Sequence, residues 1–265
     1  MKKRADVVLF EKGLVDSREK AKRVIMEGSV FIGTLRIDKP GEKIDEDAEI
    51  VVKENPITFV SRGGLKLEKA IEVFGLNLEN MICMDIGAST GGFTDCMLRE
   101  GAAKVFAVDV GYGQLDWKLR NDSRVVVMER TNIRNVTPDQ IGEELNFVSI
   151  DVSFISLRLV LPVAKSLLNL NGEIVALIKP QFEAGKDKVG KKGIIRDKSI
   201  HADVIKSVVE FSTSIGLYPE SLTYSPITGT TGNIEFLIHL KNNGSNKVDE
   251  RLIMQTVEEG HSNLK

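Results

Sequence analysis

The segment Ile82-Cys83-Met84-Asp85-Ile86-Gly87-Ala88-Ser89-Thr90-Gly91-Gly92-Phe93 predicts a strand, a glycine-rich turn and the start of a helix. Its glycines let the chain turn tightly and let a ligand approach the backbone. Their spacing, Gly-x-x-x-Gly-Gly, matches neither the Gly-x-Gly-x-x-Gly pattern of dinucleotide sites nor the Gly-x-x-x-x-Gly-Lys-Ser/Thr pattern of phosphate-binding P-loops. By itself, such a turn is equally compatible with a ligand site and with a plain strand-to-helix connection.

Short apolar runs and helical stretches alternate around this segment. The predicted strands are 82–86, 104–108, 125–128, 147–150, 173–178, 218–224 and 233–240. The predicted helices are 92–99, a stretch after Tyr112, 138–145, 157–168 and 199–215. Strands that alternate with helices indicate a parallel sheet with helices on both faces. Only the turn-rich residues 225–232 separate the last two strands, so we expect an antiparallel pair that closes the sheet.

The N-terminal residues show a different pattern, in which two helices precede a small set of short strands. The helices are predicted over 5–12 and from Asp16 or Ser17 to Gly28, and the strands at 29–32, 35–37 and 49–52. We therefore predict an α/β protein with a Rossmann-like sheet and a small α+β domain at the N-terminus. The predicted boundaries are 1–53 for the small domain, 54–59 for a linker, 60–243 for the sheet domain and 244–265 for a polar C-terminal tail with room for one short helix.

Composition is that of an ordinary globular chain, with 42% hydrophobic and 28% charged residues among 265. The longest apolar run, 174–178, is far shorter than the roughly 18 residues of a membrane span, and no apolar stretch follows the basic N-terminus as in a secretory signal. Cys83 and Cys96 do not make a disulfide framework and indicate reduced thiols in a cytoplasmic protein. The three histidines lack metal-ligand spacing, and without a surface heptad we expect a monomer.

The charge distribution points to a nucleic-acid partner despite a net charge of −2. Residues 1–36 contain nine Lys and Arg against five Asp and Glu, whereas residues 37–60 contain three against seven. Binding depends on local charge, so the first of these halves is a candidate RNA-binding surface. The stretch 186–196 carries five basic residues and one acid directly after a predicted strand, which favours contacts to phosphates. A plain solvated surface is the alternative for both.

Asp109 adds to the case for a ligand at the glycine-rich turn. It ends the next predicted strand, 22 residues after Gly87. A carboxylate at this position can accept hydrogen bonds from both ribose hydroxyls of an adenosine ligand, while Gly87 to Gly91 face its amino-acid part. Asp85 either orients the turn or meets the ammonium of the ligand.

Two lysines and two carboxylates stand where an open parallel sheet places its active site, beyond the carboxyl ends of the strands. They are Lys66, Asp151, Lys179 and Glu235. Such groups are costly in apolar settings unless they pair, so two ordinary salt bridges are the alternative. A reaction at a substrate hydroxyl requires removal of the proton of that hydroxyl. Our hypothesis makes Lys179 the base, oriented by Asp151 and Glu235, with Lys66 favouring its neutral form or stabilising the developing alkoxide.

Asp151 and Lys179 belong to longer strings, and the chain resembles one family along its whole length. The strings are Val60 to Gly64, Asp85 to Asp95, Val108 to Leu115, Glu129 to Asn132, Asp151 to Leu157 and Lys179 to Glu183. Together they resemble the TlyA-type (hemolysin A family) ribosomal RNA 2′-O-methyltransferases, whose catalytic domain is FtsJ-like. The N-terminal fifty residues resemble the alpha-L RNA-binding module of a small-subunit ribosomal protein. One departure is the linker, where an Arg-x-Trp-Val motif of some members is replaced by Val52-Lys53-Glu54-Asn55-Pro56.

The resemblance implies S-adenosylmethionine as cofactor and the 2′-hydroxyl of cytidine in rRNA of ribosomal subunits as substrate. It implies a catalytic tetrad of Lys66, Asp151, Lys179 and Glu235, with Lys69 the rival for the first place. The implied cofactor-binding residues are Asp85, Gly87, Ala88, Ser89, Thr90, Gly91, Gly92, Asp109, Val110 and Asn132. The candidate RNA-binding residues are Lys3, Arg4, Arg18, Lys20, Lys22, Arg23, Arg62, Lys188, Lys191 and Lys192. Members differ in whether they modify one subunit or both, and a helix from about residue 5 resembles the dual-specificity type.

Two functions compete with this one. A non-catalytic rRNA-binding or assembly factor would keep the fold and transfer no methyl group. A membrane-active hemolysin would need an apolar or strongly amphipathic basic segment beyond the N-terminal pair of helices, and the sequence offers none.

Overall fold

The computed structural model describes residues 2–26, 28–33, 35–37, 39–52, 59–185, 188–190 and 193–264. The chain divides into two compact units, Met1–Thr58 and Phe59–Lys265. The predicted linker over 54–59 lies, except for Phe59, outside the described residues. Across the described ranges, no helix combines the length and the apolar composition that crossing a bilayer requires.

The N-terminal unit packs two helices against short antiparallel strands. Its elements are β1 (Lys2–Arg4), α1 (Ala5–Glu11), α2 (Arg18–Met26), β2 (Val30–Ile32), β3 (Leu35–Arg36), β4 (Lys43–Asp45) and β5 (Ile50–Val52). Ala21 and Ile25, four residues apart on one face of α2, are fully buried against Val8 and Leu9 of α1. The predicted small α+β domain is confirmed. The pairing of β1 with β4 was not predicted, because strands of three residues leave almost no periodic signal.

A seven-stranded sheet forms the centre of the second unit within the described residues, with strand order β11-β12-β10-β9-β6-β7-β8. Its strands are β6 (Ile82–Ile86), β7 (Lys104–Val108), β8 (Val125–Met128), β9 (Leu145–Ile150), β10 (Leu168–Ile178), β11 (Tyr218–Tyr224) and β12 (Phe236–Lys241). Strands β6 to β10 pair in parallel, and β12 pairs antiparallel with both β10 and β11. The predicted Rossmann-like sheet with a closing antiparallel pair is therefore confirmed.

Helices cover this sheet. They are α3 (Gly63–Phe74), α4 (Gly92–Arg99), α5 (Trp117–Arg120), α6 (Pro138–Ile141), α7 (Leu161–Leu167), α8 (Pro180–Glu183), α9 (Lys198–Ser214) and α10 (Glu250–Asn263). The helix predicted over 138–145 ends at Ile141, because Gly142 adopts a left-handed backbone and strand β9 begins at Leu145. Trp117, at the start of α5, has an exposed fraction of 74%.

The C-terminal residues contain the one helix for which the prediction of a polar tail over 244–265 left room. This helix, α10, spans residues 250–263 and packs against α9 and β11, which the prediction did not include. Asp249 caps the helix by accepting a hydrogen bond from the Leu252 amide, and Ile253 and Val257 bury one face. The polar residues that suggested a tail are the exposed face of an amphipathic helix.

The strand order determines where a site forms. The chain runs from β6 outward to β7 and β8, and then returns to β9 on the other side of β6. At this reversal, the connections after β6 and β9 leave in opposite directions and open a crevice beyond the carboxyl ends of the strands.

Candidate active site

Four charged side chains from four different elements meet at this crevice. Lys66 lies in the first turn of α3, Asp151 follows β9, Lys179 follows β10, and Glu235 directly precedes β12. The Lys66 ammonium donates to Glu235 Oε2 at 2.8 Å and to Asp151 Oδ2 at 3.4 Å. The Lys179 ammonium lies 2.5 Å from Asp151 Oδ1. The structure thus brings together the four residues predicted for the tetrad.

The tetrad is charge-balanced and almost closed to solvent. The exposed fraction of the side chains is 10% for both lysines, 19% for Asp151 and 3% for Glu235. Burial acts most strongly on the Asp151 carboxyl and favours its neutral form, but Lys66 and Lys179 together outweigh it and hold its pKa below the usual value. Burial likewise favours neutral Lys66, and the charges of Asp151 and Glu235 outweigh it, so the pKa of Lys66 is raised. Lys66 is therefore an ammonium that two carboxylates hold in place.

Close backbone contact between α3 and α4 brings Lys66 to the tetrad. A Cβ on Gly92 would lie 2.8 Å from the Gly64 amide and would overlap Ser61 Oγ. A Cβ on Gly64 would overlap the ring of Phe59. The glycines of the 61–64 and 87–92 strings thus have a packing reason for their presence.

Lys69, the rival for the first place in the tetrad, points elsewhere. Its ammonium lies 3.2 Å from the centre of the Tyr224 ring, a cation–π contact. Burial lowers its pKa. The hydrogen bonds to Asp151 and Glu235 belong to Lys66, which lies one helical turn earlier.

The glycine-rich turn after β6 has an unusual backbone. Gly87, Ser89 and Gly91 have φ angles of +88°, +48° and +95°. A Cβ on Gly91 would overlap Leu119, and one on Gly87 would overlap the carbonyl oxygen of Asp151. The turn therefore runs directly against the backbone that carries the tetrad aspartate.

Asp85 lies in the core next to this turn. It is fully buried and accepts hydrogen bonds from the amide and hydroxyl of Thr94, at 2.8 and 2.7 Å, and from Ser149 Oγ at 3.3 Å. Burial raises its pKa to about 7, against the opposing effect of the Thr94 hydrogen bonds. Of the two predicted roles, the geometry fits orientation of the turn, because the carboxylate has no exposed surface for an ammonium of a ligand.

Asp109 lies at the end of β7, where the sequence analysis placed it. Its carboxylate accepts hydrogen bonds from the amides of Ser89 at 2.8 Å and Gly111 at 2.6 Å, which ties the turn to the next strand. Each carboxylate oxygen retains a second acceptor position on this half-exposed side chain. Val110 beside it is exposed, and Asn132 Oδ1 accepts from the Arg134 amide. Among the remaining predicted cofactor residues, Ser89 and Thr90 are exposed and Ala88 and Gly92 are buried.

Three residues at the site were missed by the sequence analysis. Ser153 Oγ accepts a hydrogen bond from Lys179 at 3.0 Å. The Phe154 side chain is 90% exposed on a backbone with a φ of +64°, which is unusual for a bulky residue, and its ring lies 5.0 Å from that of Phe182. Glu183 accepts hydrogen bonds from Ser156 Oγ and the Leu157 amide, and burial raises its pKa. All three lie in quoted strings, but spacing gives no sign of their contacts.

Several basic residues of the N-terminal unit form ion pairs that were not predicted. Asp6, fully buried, accepts hydrogen bonds from the guanidinium groups of Arg4 at 2.9 Å and Arg18 at 3.2 Å, which lower its pKa. Lys3 pairs with Glu11 and Glu46, and Lys20 pairs with Asp16. Both arginines remain about half exposed, so they are fixed in orientation and still open to a ligand. Lys22 and Arg23 are exposed on α2.

The other predicted RNA contacts lie in the second unit. Arg62 precedes α3 and is partly exposed, and Lys188 lies 3.6 Å from Asp203 at the surface. Lys191 and Lys192 lie outside the described residues.

Known proteins match the chain at both units. Residues 59–242 match the model of the FtsJ-like methyltransferases, and residues 3–50 match that of the S4 domain. YqxC of Bacillus subtilis, provisionally named an rRNA methyltransferase, is 55% identical over the whole chain and 96% of its own length. The 16S/23S rRNA (cytidine-2′-O)-methyltransferase TlyA of Mycobacterium tuberculosis is 43% identical over 90% of this chain and 89% of its own.

A solved structure supports the same relationship. A Streptococcus thermophilus protein provisionally named a hemolysin superposes with a TM-score of 0.80 at 50% identity. The match covers 99% of this chain and 96% of that protein. With its S4 domain, its FtsJ-like domain and its full-length relatives, the chain belongs to the TlyA/hemolysin A family of methyltransferases.

Proposed function

We propose that the protein transfers a methyl group from S-adenosylmethionine to the 2′-hydroxyl of a cytidine in ribosomal RNA. The observation that carries the proposal is the charge-balanced tetrad of Lys66, Asp151, Lys179 and Glu235 beside a glycine-rich turn. The M. tuberculosis relative is named an rRNA (cytidine-2′-O)-methyltransferase, and the tetrad beside the glycine-rich turn suits this reaction. Because that relative acts on both 16S and 23S rRNA, we expect this protein to accept both subunits.

The residues around the turn fit S-adenosylmethionine. The backbone of Gly87 to Gly91 leaves no room for a side chain at either end, and the exposed Ser89 and Thr90 between them offer polar groups to the amino-acid part. Asp109 would accept hydrogen bonds from the ribose hydroxyls at its free acceptor positions. Exposed Val110 would contact the adenine, and Asn132 would line the same side. When bound, S-adenosylmethionine supplies a methyl group on a positively charged sulfur, which an oxygen nucleophile can accept.

Lys179 is the proposed base. The charge-balanced tetrad is the resting state; after Lys179 has released a proton to solvent, its Nζ accepts the proton of the 2′-hydroxyl as the oxygen gains the methyl group. Asp151 and Ser153, which contact Nζ at 2.5 and 3.0 Å, fix its position. General-base assistance of this kind is worth about 10²- to 10⁴-fold in rate.

Lys66 has a different role, because it stays charged. Its ammonium stabilises the negative charge that develops on the oxygen, and Asp151 and Glu235 hold that ammonium in a site with little water. A fixed cation near a developing oxyanion is most effective in such a setting. Glu235, the least exposed of the four, acts on Lys66 and does not contact the substrate.

RNA recognition is assigned to the S4 domain, where Arg4 and Arg18 are held by Asp6. In the catalytic unit, we propose Arg62, Lys188, Lys191 and Lys192 as contacts to RNA phosphates. Phenylalanine at position 154 offers the exposed aromatic face on which an unpaired base can stack.

The experiment uses methyl-labelled S-adenosylmethionine and separated ribosomal subunits, followed by digestion of the rRNA to nucleosides. We expect label in 2′-O-methylcytidine, and we expect Lys179→Ala to abolish it while cofactor binding, measured by calorimetry, persists. Label on a base, or undiminished transfer by Lys179→Ala, contradicts the proposal. Binding of cofactor and subunits without any transfer indicates the rRNA-binding factor instead.

A further inference from the structure

Two segments of the chain meet beside the tetrad. One is the loop 152–157, which follows Asp151, and the other is helix α8, which follows Lys179. The Lys179 carbonyl accepts the Phe182 amide, so Lys179 and α8 form one continuous unit. Both segments therefore carry a member of the tetrad at one end.

Glu183 joins the far ends of these two segments. It is the last residue of α8, four positions after Lys179, and its Oε2 accepts a hydrogen bond from Ser156 Oγ at 2.6 Å. Its Oε1 accepts the Leu157 amide at 2.8 Å. The Leu157 side chain beyond it is buried in the core. The carboxylate thus fastens the end of the loop to the helix and the core.

The loop between these attachments has a strained backbone. Phe154 has a φ of +64° although its side chain is bulky and 90% exposed, so packing of its own ring against the core does not impose this conformation. Such a conformation persists only where its surroundings determine it. Upstream, the Asp151 amide donates to the Ile86 carbonyl, and downstream Glu183 holds Ser156 and Leu157.

We propose that Glu183 is a positioning residue for methyl transfer. By holding Ser156 and Leu157, it keeps the loop in the conformation in which Ser153 accepts a hydrogen bond from Lys179 and Phe154 directs its ring outward. The inference rests on the proposed function for its consequence in catalysis, whereas the loop conformation can be tested without any activity.

The kinetic test compares Glu183→Ala with Glu183→Gln. Glutamine keeps an acceptor for the Leu157 amide and a polar partner for Ser156, and alanine keeps neither. We expect Glu183→Ala to lower kcat on ribosomal subunits by about 10- to 100-fold, the effect of a misplaced reacting group, with the Kd for S-adenosylmethionine unchanged. Glu183→Gln should retain most of the wild-type kcat. Glu210→Gln, on the exposed face of α9, is the matched control and should leave kcat unchanged.

A fluorescence test reports on the loop itself. Trp117 is the single tryptophan of the chain and is exposed, so Trp117→Phe combined with Phe154→Trp places one fluorophore in the loop. In this background, Glu183→Ala should lower the fluorescence anisotropy at position 154, and Glu183→Gln should not. If Glu183→Ala does not fold, Ser156→Ala removes one of the two hydrogen bonds and should lower the anisotropy to a smaller extent.

Two results overturn the inference. One is an unchanged anisotropy in a folded Glu183→Ala protein, which would show that other contacts hold the loop. The other is a mobile loop with an unchanged kcat, which would show that its conformation does not matter for transfer. If the wild-type protein methylates neither subunit, the proposed function fails, while the anisotropy still decides whether Glu183 holds the loop.

Discussion

Replacing Glu235 by glutamine tests whether the tetrad is a buried, charge-balanced unit. The change keeps the size of the side chain and removes the nearer of the two anions on Lys66, at 2.8 Å, leaving Asp151 at 3.4 Å. Lys66 is then a buried ammonium that shares one carboxylate with Lys179. The protein should lose both stability and activity.

The size of the stability loss follows from burial. Removing one partner of a buried ion pair costs about 3–5 kcal/mol, and because Asp151 remains in contact we expect about 2–3 kcal/mol here. For a unit of this size, about 1 kcal/mol lowers the Tm by roughly 2–4 °C, so the Tm should fall by roughly 4–12 °C. Loss of a well-held oxyanion stabiliser costs about 10²- to 10³-fold in kcat.

The assay combines urea unfolding with methyl transfer and adds the double variant Lys66→Met with Glu235→Gln. Removing both charges restores the balance, so the double variant should lose about 1–3 kcal/mol less than the sum of the two single losses. Its activity should stay as low as that of either single variant. A Glu235→Gln protein as stable as the wild type, or single losses that simply add, would refute the buried pair.

Three further predictions concern other parts of the molecule. Burial raises the pKa of Asp85 to about 7, so the folded state binds the proton of this carboxyl more tightly than the unfolded chain does. The free energy of unfolding should therefore fall as the pH rises from about 4 to 7. Asp85→Asn should remove this part of the pH dependence, as measured by urea unfolding between these pH values. A Cβ on Gly229 would lie 2.5 Å from Glu235 Oε1, so Gly229→Ala should lower kcat with little change in the Kd for the cofactor. A normal kcat would show that the Glu235 carboxylate has room to move. Arg18→Ala should weaken binding to ribosomal subunits and should lower the salt dependence of that binding by roughly one phosphate contact, without affecting cofactor binding. An unchanged dependence of the binding constant on salt concentration would mean that Asp6 holds this arginine away from RNA.

The central strands of the sheet could be predicted from the sequence because they are buried on both faces. Apolar residues dominate Ile82–Ile86, Lys104–Val108 and the edge strand Val125–Met128, and the observed bounds of all three match the prediction. Charged residues directly after such runs must lie at the carboxyl edge of the sheet, which is why Asp151 and Lys179 could be proposed as neighbours.

Other features depend on contacts distant in sequence and left no local signal. Asp6 pairs with both Arg4 and Arg18, and this arrangement requires α1 and α2 to pack together. A count of charges along the sequence therefore overstated how many basic side chains have no acidic partner. The left-handed backbone of Phe154 runs against the preference of its residue type, and only its surroundings can impose it. The resemblance already placed Lys66 ahead of Lys69, but the physical reason, the direction of each side chain on α3, could be seen only in the structure.

The exposure of the tetrad favours the proposed active site over two structural salt bridges. The exposed side-chain fraction is 3% for Glu235, 10% for each lysine and 19% for Asp151. In a purely structural network, a partly exposed carboxylate adds little, since it is solvated and its ion pairs are weakened. In the proposed reaction, the substrate hydroxyl would reach the tetrad where Asp151 and the two lysines retain exposed surface, and not at Glu235, which is almost fully buried. Lys179 would then accept its proton and Lys66 would stabilise its charge, while Glu235 holds Lys66 in place.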